Sequence, residues 1–125
     1  EQKGQAGLAD KLIEQAEENG NLRLIKAVVP NLNPNDLRSL AAQVNKRAAP
    51  SIVLLASESN GKCGMVCICS QEAVDTGHQA GQYLSELAGK LGGKGGGKPD
   101  FAMGGAPAGK DLNEALVGIS FSTEG

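Results

Sequence analysis

Aromatic residues are almost missing: the 125-residue chain holds two Phe, one Tyr and no Trp, an aromatic content of 2%. A core must then be built from Leu, Ile, Val and Ala, and a nucleic-acid surface made of a broad platform of stacked rings is excluded. Long apolar runs are also missing. None approaches the roughly 20 residues that cross a bilayer, and no charged-then-apolar signal segment opens the chain. No membrane partner is expected, and a soluble cytoplasmic protein fits. Positive charge is not in excess either: the formal net charge is -2, so any contact with phosphate must come from a local cationic patch. Cysteine is scarce and odd in number. Cys63, Cys67 and Cys69 crowd into seven residues, which is no secreted disulfide framework and suits a reducing compartment. The chain starts at Glu1, without Met and directly in a helical pattern, so a piece of a longer protein is expected.

The residues present, 40% of them apolar, suffice for one compact domain. Leu8, Leu12, Ile13 and Ala16 share one face of an amphipathic helix that Asn19-Gly20 would stop. Residues 22 to 29 end in β-branched residues before Pro30 and read as a strand. Asn33 before Pro34 opens the most distinct helix, since Asn caps free N–H groups and Pro has none to lose. Leu37, Leu40, Ala41 and Val44 continue it, with Lys46 and Arg47 at its C-terminal end. Ile52 to Ala56 is apolar on both faces, as in a central strand. Asn60-Gly61 then turns the chain into a second strand, residues 64 to 70, to make a hairpin. From Ala73 to Leu91 the spacing predicts one long helix, weakened by Gly77, Gly81 and Gly89. Residues 92 to 109 read as a glycine-rich loop, with a short strand at 101 to 103 inside it. Asp111 and Glu114 then stand where a reciprocal cap opens a last helix. The expected fold is α/β, with α+β as the variant: a small mixed sheet with helices packed on it in two or three layers.

The loop holds the chemistry. Eight glycines between positions 92 and 109 cost backbone entropy that an ordinary connection avoids. Bare amides can line a concave nest for an anionic oxygen. Lys90, Lys94, Lys98 and Lys110 against Asp100 alone make residues 90 to 110 locally +3. That is the local patch the net charge requires. Gly92-x-x-x-x-Gly97-Lys98 begins like a phosphate-binding loop but fails at Pro99, where a Ser or Thr would hold magnesium, and it follows a helix instead of a strand. The bland alternative is a flexible surface loop.

The stretch Gly-Gly-Lys-Gly-Gly-Gly-Lys-Pro-Asp-Phe-Ala-Met-Gly-Gly at 92 to 105 resembles the signature near the end of alanyl-tRNA synthetases, within the wider DHHA1 group. The pattern extends back through Gly77, His78, Ala80, Gly81 and Leu84. Met103 stands where that family often has Gln, and Lys98 where it often has Arg, which keeps charge and loses a planar bidentate donor. The resemblance implies a DHHA1-like globular domain at 20 to 125, with residues 1 to 19 a remnant helix of an adjoining helical subdomain. It further implies a non-catalytic, cofactor-free domain of an alanine-tRNA ligase that binds the tRNA elbow and couples aminoacylation and editing on one tRNA. Its partners would be alanine tRNA, the aminoacylation and editing domains, and a second copy in a homodimer. On that basis Gly92, Gly93, Gly95, Gly96 and Gly97 approach RNA or order the loop, while Lys94 and Lys98 meet phosphates, which position RNA without reading its sequence. Asp100 accepts from a ribose hydroxyl or, preferably, caps the loop backbone.

Cys63, Cys67 and Cys69 share parity along a strand, and His78 is the only further zinc ligand on offer. The C-x3-C-x-C spacing is unusual for zinc, however, and core packing is preferred. His78 lacks a catalytic partner arrangement, and Tyr83 reads as helix packing. Two rival functions stay open: a DHHA1 domain binding single-stranded nucleic acid beside a phosphoesterase, and a protein-interaction module.

Overall fold

The computed structural model describes residues 10–14, 16–19, 22–29, 32–48, 50–59, 61–107 and 112–118. The central strand explains the architecture. Every residue from Ser51 to Ser57 of β3 (Ser51–Ser59) is buried, so the apolar run is covered on both faces, as its composition predicts. Around it lies a six-stranded mixed sheet in the order β1-β2-β3-β4-β6-β5. The other strands are β1 (Glu17–Asn19), β2 (Leu22–Val28), β4 (Lys62–Cys69), β5 (Lys94–Gly97) and β6 (Phe101–Pro107). Only β2 and β3 run parallel. The remaining neighbours are antiparallel.

A parallel pair needs a crossover helix, and α2 (Pro34–Ala48) provides it. The Asn33 side chain accepts the Asp36 N–H at 2.8 Å, the cap expected from the Asn-Pro pair. Leu37, Leu40, Ala41, Val44 and Ala48 then pack on Val53, Leu55 and Val66. The helical residues 10–14, here α1, add Leu12 to the same cluster. On the opposite face Ile52, Leu54, Ala56, Met65 and the three cysteines meet α3 (Gln71–Asp75), α4 (Ala80–Lys90) and α5 (Leu112–Val117). The result is three layers, helices on both sides of one mostly antiparallel sheet, which is the α+β variant of the expected fold.

Three boundaries differ from the sequence reading. Among the described residues up to 19, helix covers 10–14 and Glu17–Asn19 pairs with β2 as an edge strand, so the expected helix gives way to strand before Asn19. The long helix at 73 to 91 is broken. Gly77 takes φ +109, its N–H bonds the Val74 carbonyl, and the His78 N–H bonds the Ala73 carbonyl at 3.0 Å, a paired termination that only a residue free to adopt positive φ completes without strain. The glycine-rich loop is also no loop: β5 and β6 form a hairpin. In its turn the Lys98 N–H bonds the Phe101 carbonyl at 2.8 Å and the Phe101 N–H bonds the Lys98 carbonyl at 3.3 Å. Lys110 and Asp111, and hence the expected cap with Glu114, lie outside the described residues.

Candidate nucleic-acid interface

The glycines of β5 and β6 are explained first by how closely α4 lies on them. A Cβ built at Gly104 falls 2.6 Å from Leu84 Cδ1 and 2.7 Å from the Gly95 Cα, and one at Gly95 falls 2.3 Å from the same Leu84 carbon. Further toward the start of α4, a Cβ at Gly81 meets the Gly97 carbonyl at 2.8 Å. These distances are shorter than real contacts permit, so the Leu84 side chain lies directly on the strand backbones and α4 meets β5 backbone to backbone at Gly81 and Gly97. The turn is tied to the helix as well. The Ala80 and Gly81 N–H groups donate to the Pro99 and Lys98 carbonyls at 2.7 and 3.2 Å, which occupies amides that a helix start otherwise offers to an anion.

The residues singled out from the sequence therefore separate. Gly92 and Gly93 terminate α4: Gly92 takes φ +79 and the Gly93 N–H bonds the Ala88 carbonyl at 2.7 Å. Gly95 and Gly97 turn toward α4, while Lys94 and Gly96, alternate residues of the strand, turn to the opposite face. Among the described residues nothing lies within 4 Å of a Cβ built at Gly96. Lys98 sits exposed in the turn beside Asp100. Asp100 contributes its carbonyl to the Cys69 N–H at 3.0 Å, and among the described residues its carboxylate caps no backbone amide. Lys90 is not brought to the hairpin. Its ammonium lies near the end of α5, 3.2 Å from a Cβ built at Gly118.

What the structure does assemble is an open groove of about 380 Å³ between α4 and the edge of the sheet. Its floor is the backbone of Gly95 to Gly97, its end is Lys98 and Pro99, and its wall carries Gln79, Gln82 and Ser85. The last three are absent from the sequence reading. Their only signal was spacing: they recur every third residue on the side of α4 away from buried Leu84 and Leu87. Such a groove offers backbone polar groups, neutral amides and one cation. It can hold a polar, anionic surface by shape and hydrogen bonds more than by charge.

The cysteines and His78 belong to the core. Cys63, Cys67 and Cys69 are all buried and free, on the face that meets α4. Burial, with Cys69 alongside, pushes the Cys67 thiol well up, and burial followed by the Glu58 carboxylate raises Cys63. Both stay protonated at neutral pH, the inert state of a buried thiol. His78 Nδ1 lies 2.5 Å from the Tyr83 hydroxyl. Burial lowers the His78 pKa, while burial first, and then the neighbouring Cys69, Cys67 and Glu86, push Tyr83 up to about 12. A neutral tyrosine thus shares a hydrogen bond with a neutral imidazole. No group of three or more metal-ligating side chains occurs among the described residues, and no helix there is long and apolar enough to cross a membrane.

A family model described as the DHHA1 domain matches residues 21–119. Over 116 residues, 93% of the chain, the sequence is 46% identical to an alanine–tRNA ligase of Opitutus terrae, and it spans 12% of that ligase's length. The structure is similar to the C-Ala domain of the Aquifex aeolicus alanyl-tRNA synthetase, with TM-score 0.72 and 31% identity over 82% of this chain and 92% of that one. RecJ of Thermus thermophilus shares the fold at TM-score 0.57 and 19% identity, over 92% of this chain and 17% of its own.

Proposed function

The chain belongs to the DHHA1 domain family, and from that premise we propose that it serves as the C-terminal, tRNA-binding domain of an alanyl-tRNA synthetase. It has no catalysis or cofactor of its own. In the cytoplasm it rests on the elbow of alanine tRNA and holds that tRNA for the aminoacylation and editing domains of the ligase; self-association in a homodimer is a subsidiary role. The observation that carries the reading is the groove at the edge of β5, where a strand of sequence Lys-Gly-Gly-Gly leaves its backbone uncovered beside Lys98, Gln79 and Gln82. A folded RNA corner is recognised through shape and hydroxyls, which such a surface admits at close range. The single-stranded-binding alternative has only a shared fold behind it.

A salt-series titration against folded tRNA, an isolated elbow mimic and unstructured RNA tests this. The expected result is preference for the first two, and for Lys94→Ala/Lys98→Ala a salt slope shallower by roughly 1 to 2, the loss of one or two phosphate contacts. Equal binding to all three RNAs that ignores the lysines, or no binding at low salt, overturns the reading and favours an interaction module.

A further inference from the structure

The hairpin has a second face. Among the described residues α2 packs on β3 and β4 and makes no comparable contact with β6 or β5, so β5 and the β5 side of β6 stay uncovered by it, while Ile68, Phe101 and Met103 border the core cluster beneath α2. The register places there three successive rows: Ile68 beside Phe101, then Val66, Met103 and Gly96, then Gly64, Gly105 and Lys94. Lys62 beside Pro107 closes the face. Phe101, Met103 and Ile68 are half-buried, while Lys62, Lys94, Gly96 and Gly105 are exposed. No Asp or Glu occupies any of these rows. Phe101 and Met103 give part of their surface to the core; the glycine floor and the lysines on the far rows do not, and beside the part-exposed ring they form a combination that the core does not require.

We propose that this open face binds an unpaired nucleotide of RNA, its base stacked on Phe101 and its flanking phosphates drawn to Lys94 and Lys62. The proposal rests on the RNA-binding reading above and assigns it a second contact, across β5 from the groove. The absence of side chains at Gly96, Gly64 and Gly105 lets a planar base lie against the sheet beside Met103. A side chain at any of them would stand in its way. Because the charge on this face is of one sign, a phosphate chain is the partner it complements. One aromatic ring suffices for one base, and stacking of this kind tolerates any base identity.

The test compares Phe101→Leu, Phe101→Tyr and Lys94→Ala in titrations of the 125-residue chain with folded tRNA, a short unstructured RNA, and that same RNA carrying abasic sites. Thermal melting of each variant confirms folding. Phe101→Leu is expected to weaken binding to base-bearing RNA roughly tenfold, within the range for one stacked base. It should leave abasic RNA unaffected, and Phe101→Tyr, which keeps the ring, should restore affinity. Undiminished binding by Phe101→Leu, with the lysine dependence intact, overturns the stacking contact and leaves the RNA-binding reading standing. Absence of RNA binding in the unsubstituted chain overturns both. Self-association that Phe101→Leu abolishes, with RNA affinity unchanged, gives the face to a second copy of the chain and likewise overturns the proposal.

Discussion

The two halves of the sheet are built on opposite principles. β3 and β4 are filled with Ile, Val, Leu and Met, covered by α2 on one side and α4 on the other, and their stability comes from side chains that exclude water. In β5 and β6 the close fit comes from missing side chains. Gly95 and Gly104 let Leu84 reach the sheet, and the helix seals one face while Lys94, Gly96 and Gly105 stay exposed on the other. The first half cannot bind anything polar without losing its core. The second keeps backbone and glycine surface uncovered next to lysines, at the cost of strands with little packing of their own.

The comparison breaks most readily at the centre. Leu54 is fully buried, so Leu54→Ala should destabilise the domain by about 3 kcal/mol through lost burial and a cavity, read as a fall in the midpoint of urea unfolding. On the hairpin the damage runs the other way. Gly104→Ala forces a methyl group into Leu84 and the Gly95 backbone and should cost about 2 kcal/mol by overpacking. Adding Leu84→Ala relieves only the side-chain part of that clash, because the Gly95 Cα remains 2.7 Å away. A double-mutant cycle across the pair measures this coupling.

Between the halves sits the His78–Tyr83 contact, whose effect is smaller and depends on pH. Burial lowers the folded-state pKa of His78 below its ordinary value of 6.5, so the unfolded chain binds a proton more readily. Stability is therefore fully present above pH 6.5 and falls as pH drops from there toward the folded pKa, where the slope levels off. Melting curves on either side of the ordinary histidine range, from roughly pH 5 to 7.5, should show this loss, and His78→Gln should flatten it. An unchanged slope in the variant would place the titrating group elsewhere.

How far the sequence could be read follows the same division. Where side chains decide the structure, their pattern announces it: the apolar run of β3, the Asn33-Pro34 start of α2 and the turn at Gly61 all stand where composition and spacing put them. Where missing side chains decide it, local pattern is silent. Glycine has low strand propensity, so Lys94–Gly97 reads as loop, and its pairing with β6 depends on Leu84 in the preceding helix. Gly77 was visible as a weakness in a helix, yet its role as a stop needed the backbone bonds of Gly77 and His78 to be seen. Glycine and lysine mark a segment that lines the groove. They do not reveal that α4 contributes Gln79, Gln82 and Ser85 to the groove, or that Lys94 and Gly96 stand exposed on the other face of β5.

The sharpest comparison uses two adjacent residues. Gly104 and Gly105 have the same side chain and lie in the same strand, and alternation sends them to opposite faces. Among the described residues a Cβ at Gly105 meets only the Cys63 carbonyl, at 3.3 Å, a contact that a shift of a few tenths of an ångström relieves. Gly105→Ala should accordingly change stability by less than about 0.5 kcal/mol, well short of the loss at Gly104. If the open face receives a base, the same methyl group stands on its floor, and RNA affinity should fall while the melting temperature holds. A variant that melts like Gly104→Ala would mean that the face is packed. One that leaves both stability and affinity unchanged would mean that the glycine serves the strand alone.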